Sequence, residues 1–131
     1  MLCLGRAFLY ICYINQKGVN TVIIGTVTTI VVGVICIILG IVNMRGNISS
    51  IHTYHRYRVS DKDVPIFGKL VGLGTVIIGV GIIAMSVFLF LSELFKNEAI
   101  SFIGMGLMAI GFIVGISISF YAMKKYNGRI F

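Results

Sequence analysis

Leu70–Leu91 reads LVGLGTVIIGVGIIAMSVFLFL, and the fold turns on how it is read. It contains no charged side chain. As a helix rising about 1.5 Å per residue it covers ~33 Å, enough to cross a hydrocarbon core of ~30 Å. Glycine is distributed over it in a pattern. Gly68 and Gly72 form a small-x-x-x-small pair at its opening, and Gly72, Thr75, Gly79 and Ser86 continue one face. Gly74 and Gly81 lie on another face. Two glycine faces predict a helix packed on both sides, because small residues let neighbouring backbones approach. Gly72-x-Gly74 and Gly79-x-Gly81 are not nucleotide motifs, which need a strand, a turn and a helix with an acidic residue downstream.

Upstream lies the one long polar interval of the chain. Asn47 or Ser49 can cap a short interfacial helix over Ile48–His55. Aromatic and basic residues interleave in Tyr54-His55-Arg56-Tyr57-Arg58. Phenol rings suit headgroup depth and arginines suit phosphates, so Tyr54, Arg56, Tyr57, Arg58 and Lys62 are the expected contacts to anionic headgroups or to a partner. Ser60-Asp61-Lys62-Asp63 has the features of a helix start, with a capping serine and carboxylates at the positive end of the dipole. Pro65, the only proline, fits the first turn, where its missing N–H is harmless. The second span is therefore expected to begin near Asp61. His52 and His55 share a helical face, as metal ligands can. The surrounding arginines repel a cation, so no metal site and no cofactor is assigned.

Thr21–Val42, TVIIGTVTTIVVGVICIILGIV, is also free of charge. Its β-branched residues favour a strand in water, but a lone strand in lipid cannot satisfy its backbone, so helix is expected. Thr21, Gly25, Thr29 and Gly33 recur every four residues as a packing stripe. Met1–Asn20 precedes it with Arg6 and an apolar run to Ile14. No Ala-x-Ala-like cleavage site follows, and Cys12 lacks the small residues of a lipoprotein site, so a signal peptide is rejected. The run is also too short to span. It reads as an interfacial piece with Tyr10 and Tyr13 at headgroup level, or as a segment outside the native product. A purine-rich, ribosome-binding-like run can encode Lys17-Gly18-Val19, and Val22 can be a GTG start. The expected organisation is thus an N-terminal segment, 1–20, and one three-span domain, 21–131.

Downstream, Ser92–Glu98 is a short polar link that makes its flanking helices antiparallel neighbours. Ile100–Met123 is the third span, with Gly104, Gly111, Gly115 and Ser119 on its small face and Gly111-x-x-x-Gly115 its sharpest packing signal. Met105, Met108 and Phe112 read as packing residues. Cys3, Cys12 and Cys36 show no metal or redox spacing, and Cys36 reads as a small apolar residue.

Composition agrees with three spans. The chain is 58% hydrophobic and 11% charged, with a mean hydropathy of +1.04. Soluble domains carry about 25% charge, so a water-soluble fold is excluded. The net charge of +7 does not point to nucleic acid, because the basic residues flank apolar spans. Eight of them, Arg45, Arg56, Arg58, Lys62, Lys69, Lys124, Lys125 and Arg129, fall on one side of a three-span chain. Arg6, Lys17 and Lys96 fall on the other. The positive-inside rule then expects a multi-pass protein of the cell membrane, with loop and C-terminus cytoplasmic and N-terminus outside.

The runs Arg45–Val59 (RGNISSIHTYHRYRV) and Asp63–Ile83 (DVPIFGKLVGLGTVIIGVGII) resemble a family of small, uncharacterised bacterial membrane proteins. These share a charged loop after the first span and a G-K-L-V-G-x-G opening to the second. The resemblance covers roughly Thr21 to Met123. It implies an all-α, integral membrane fold of three antiparallel helices, and it carries over no catalytic residue.

Three function classes follow from the residues. An accessory or interaction protein, bound to another membrane protein or to a second copy of the chain, is supported by the stripes Gly25/Gly33, Gly68/Gly72/Gly79 and Gly111/Gly115. Immunity against a membrane-active toxin is one concrete version. An oligomeric transporter or channel subunit is the alternative. Coupled transport usually shows an ionisable residue within a span, and these spans carry none. An enzyme would rest on His52, His55, Asp61 and Asp63 in one interfacial loop, with no positioned pair in a pocket. The expectation is a non-enzymatic interaction protein.

Overall fold

A computed structural model describes residues 2–46 and 59–127. Three helices make up the fold: α1 Leu2–Met44, α2 Val64–Phe95 and α3 Glu98–Ala122, the last followed by a π-helical turn, Met123–Asn127. Each is long and apolar enough to cross a membrane, over Asn20–Met44, Val64–Phe95 and Glu98–Tyr126. The described residues form no strand. A bilayer offers no partner for an open strand's N–H and C=O groups, and a helix satisfies its own. The hydroxyls in the spans follow the same rule. Those of Thr28, Thr29, Thr75, Ser86, Ser117 and Ser119 each donate to the carbonyl four residues back, at 2.6–3.0 Å.

The helix ends differ from those expected at three places. First, α1 reaches back to Leu2, beyond the expected start of the first span at Thr21. No proline interrupts that stretch, and Gly5 and Gly18 each oppose helix at only ~1 kcal/mol, too little to stop propagation. Second, α2 starts at Val64 rather than near Asp61. Asp61–Asp63 form a turn in which the Ser60 carbonyl accepts from the N–H groups of Asp63 and Val64, at 2.8 and 3.1 Å. Asp63 precedes the helix without a side-chain cap, and Pro65 follows in the first turn, where its fixed φ suits a helix. Third, α2 runs on through Ser92–Phe95, which contains no breaker. The chain leaves the helix at Lys96, whose backbone is left-handed (φ 51°) and whose N–H reaches the Ser92 carbonyl. Asn97 then caps α3, its side-chain oxygen accepting from the Ala99 N–H at 3.0 Å. The link is thus Lys96 and Asn97 alone, which holds α2 and α3 as antiparallel neighbours.

The expected interfacial helix over 48–55 lies outside the described residues.

α2 is the central helix. It packs along α1 on one side and α3 on the other, while α1 and α3 meet little. Gly33 faces Gly79, and Gly40 faces Gly72, so α1 and α2 run antiparallel. On the other side Gly74 faces Gly115, and Gly81 lies against Met108 and Gly111. Positions two apart on a helix point ~200° apart, so Gly72 and Gly74 serve opposite neighbours.

Residues seven apart differ by only ~20° around a helix, which keeps a row facing one partner. The rows here follow that spacing: Gly33 and Gly40 on α1, Gly72, Gly79 and Ser86 on α2's first face, Gly74 and Gly81 on its second, Gly104 and Gly111 on α3. One end of the bundle is closed by an apolar cluster. Val59, at the exit of the first loop, joins Phe67, Val71 and Ala122, with Val64, Met123 and Tyr126 against them. Phe67 is wholly buried there.

Candidate functional site

The seams are the most closely built part of the molecule. A Cβ added at Gly40 would lie 2.7 Å from the Gly72 carbonyl oxygen and 2.9 Å from the Val76 nitrogen. At Gly72 it would strike the Gly40 carbonyl oxygen and, at 2.8 Å, the Met44 nitrogen. At Gly33 and Gly79 it would sit 3.0 and 2.8 Å from each other's carbonyl oxygens. Cys36 flanks this crossing, its Cβ 3.1 Å from the added atom at Gly79, as a small residue suits. On the second seam, an added Cβ at Gly115 would lie 2.5 Å from the Gly74 oxygen. Gly111 is looser, 3.4 Å from the Ile77 oxygen. Gly68 is buried at the start of α2.

Gly25 is placed differently. A Cβ there would meet nothing within 4 Å. The reason is rotational. Eight residues separate Gly25 from Gly33, a turn of ~80° on an ideal helix, so a four-residue stripe leaves the seam that Gly33 occupies. The partner of Gly33 on the contact face is Gly40, which the four-residue pattern misses. The signal that finds it is the seven-residue spacing Gly33–Gly40, matched by Gly72–Gly79 on α2.

The α1–α2 seam widens at one end. Thr26 and Ser86 continue the two glycine rows by seven residues, and neither is as small as glycine. There the helices enclose a groove of about 270 Å³, lined by Val22, Gly25, Thr26 and Thr29 from α1 and Ser86, Leu89, Ser92 and Glu93 from α2. Its hydroxyls at Thr29, Ser86 and Ser92 already donate to their own helices, so the groove is largely apolar, with the Thr26 hydroxyl and, at the mouth, the Glu93 carboxylate as its other polar groups. At its mouth Glu93 pairs with Lys96 at 3.0 Å, both well exposed.

Charge is divided between the two ends. Arg45, Lys62, Lys69, Lys124 and Lys125 are exposed at the end closed by the Val59 cluster, together with Asp61 and the half-buried Asp63. The opposite end carries Lys96 with Glu93 and Glu98. Tyr54, Arg56, Tyr57 and Arg58 lie outside the described residues, as do His52 and His55. Among the described residues, no three of His, Cys, Asp or Glu come together as metal ligands would. The C-terminal turn was missed in sequence. It sets the Lys125 ammonium 5.5 Å from the ring centre of Tyr121 and 5.3 Å from that of Tyr126.

The outer faces of α1 and α3 are exposed and apolar, Ile24, Val27, Phe102 and Ile113 among them. Large apolar surfaces of this kind need lipid or a partner to cover them. Together with three span-length helices they define the class: a small multi-pass helical membrane protein. No family model, curated protein or solved structure matches the chain.

Proposed function

We propose that this chain is an accessory or interaction protein of the cell membrane, acting through helix packing and without catalysis of its own. One observation carries the reading. The glycines of the seams meet neighbours within the chain, whereas Gly25 opens onto an apolar groove and faces nothing. A small residue beside a groove in a membrane helix is where a further helix can approach closely. The partner is another membrane protein or a second copy of this chain. The basic end lies in the cytoplasm and the Lys96 link outside, as the division of lysine and arginine supports. Arg56, Arg58 and Lys62, with Tyr54 and Tyr57, meet anionic headgroups on the cytoplasmic side.

A photo-crosslinking residue at position 25, activated in intact membranes, tests the reading. The expected product is a discrete protein adduct, either a homodimer or one defined heavier species. Labelling of lipid alone, with no protein adduct, refutes it.

A further inference from the structure

We infer that the C-terminal π turn is a built binding site for the phosphate of an anionic phospholipid, formed by Lys124 and Lys125 with Tyr121 and Tyr126. The geometry starts from the turn. In an α-helix, residues five apart stand ~140° apart, so Tyr121 and Tyr126 would diverge. A π turn closes on the fifth residue instead, and Met123–Asn127 is such a turn. It brings both phenol rings to the same ammonium, at 5.5 and 5.3 Å. Both distances are within the range of cation–π attraction.

The clamp is fixed from below. Tyr126 packs against the Val59, Phe67, Val71 and Ala122 cluster, so one ring belongs to the bundle's closed end. Tyr121 is 56% exposed and offers its ring from the other side. An ordinary surface lysine loses rotamer freedom when it takes a ligand. Here that freedom is restricted beforehand, and preorganisation raises affinity.

The chemistry selects an anion. An ammonium carries three N–H donors, and ring faces attract it without accepting all three. Among the described residues the ion pair is Lys96–Glu93, at the opposite end, and none of their carboxylates pairs with Lys125. Lys124, the next residue in the chain, is also exposed, and at the same end Arg45, Lys62 and Lys69 outnumber Asp61 and Asp63, so the local field is positive. The turn directly follows the last apolar residues of α3, the depth where hydrocarbon gives way to headgroups and tyrosine is enriched. The phosphate in reach there belongs to lipid.

The test uses the full chain in vesicles. The protein contains no tryptophan, so Tyr121→Trp provides a single reporter that keeps the cation–π partner. Its quenching by brominated phosphatidylglycerol is compared with quenching by brominated phosphatidylcholine. We expect about fivefold preference for the anionic lipid per lysine, lost in Lys124→Gln/Lys125→Gln. The exposed pair Arg45→Gln/Lys69→Gln removes the same charge from the same end and should keep most of the preference. Inorganic phosphate at millimolar concentration should not compete. Helix content by circular dichroism establishes that the variants fold. No preference in the parent overturns the site. Equal loss in the two double variants also overturns it, since diffuse charge would then suffice. So does full preference in Tyr126→Leu, or relief by free phosphate.

Discussion

Adding one methyl group at Gly40 should loosen the α1–α2 seam, and adding one at Gly25 should not. At Gly40 the new Cβ would sit 2.7 Å from the Gly72 carbonyl oxygen and 2.9 Å from the Val76 nitrogen, both backbone atoms that no rotamer change can move. Restoring ordinary contact requires the helices to part by roughly 0.7 Å, and a gap of that size forfeits a quarter to a half of each dispersion contact beside it. Overpacking of this kind costs about 1–3 kcal/mol. Alanine's better helix propensity returns up to ~1 kcal/mol, so the net loss should be about 1–2 kcal/mol. At Gly25 only the propensity gain remains, because nothing lies within 4 Å. The assay is alkylation of Cys36, which flanks the Gly33–Gly79 crossing, in mild detergent with Cys3 and Cys12 replaced. A loss of 1–2 kcal/mol corresponds to seam opening, and hence alkylation, roughly 5–30 times faster in Gly40→Ala. Gly25→Ala should match the parent or react more slowly. Equal acceleration at the two positions would show that rotation about α1 does not separate them, and the seam assignment would fall.

The other expectations concern ends and orientation. In a cysteine-free background, Lys62→Cys should resist a membrane-impermeant thiol reagent in intact cells while Asn97→Cys reacts, and the reverse pattern would invert the proposed topology. Asn97→Ala removes the cap of α3 and should lower stability by ~1 kcal/mol, read as a lower thermal midpoint; an unchanged midpoint would mean the Ala99 N–H finds another acceptor. A peptide of residues 47–63 should bind anionic vesicles more weakly when Arg56 and Arg58 become Gln, and its binding should fall with salt, since screening at 0.1 M acts over ~10 Å. Micromolar zinc binding, with vesicle affinity indifferent to those arginines, would shift the site to His52 and His55.

Number, type and approximate placement of the spans were legible in the residues alone. Charge-free runs of span length have one solution in lipid, so Thr21–Val42, Leu70–Leu91 and Ile100–Met123 had to be helical whatever their β-propensity. The central role of the second span was legible too, because Gly72 and Gly74 cannot face the same neighbour. Helix ends were less so. Lipid sets a minimum length for a span, and only local backbone chemistry stops a helix, as at Pro65 and the left-handed Lys96. Which small residues touch was decided by tertiary structure. Four-residue and seven-residue glycine patterns coexist on α1; seven residues turn ~20° and stay on the seam while eight turn ~80°, so Gly40 is buried against α2 while Gly25 borders the groove with nothing within 4 Å. The π turn at Met123–Asn127 belongs to the same class. No residue in it demands the wider turn, and its form is set where Tyr126 packs onto a cluster of Val59 from the first loop, Phe67 and Val71 from the distant α2, and Ala122 at the end of α3.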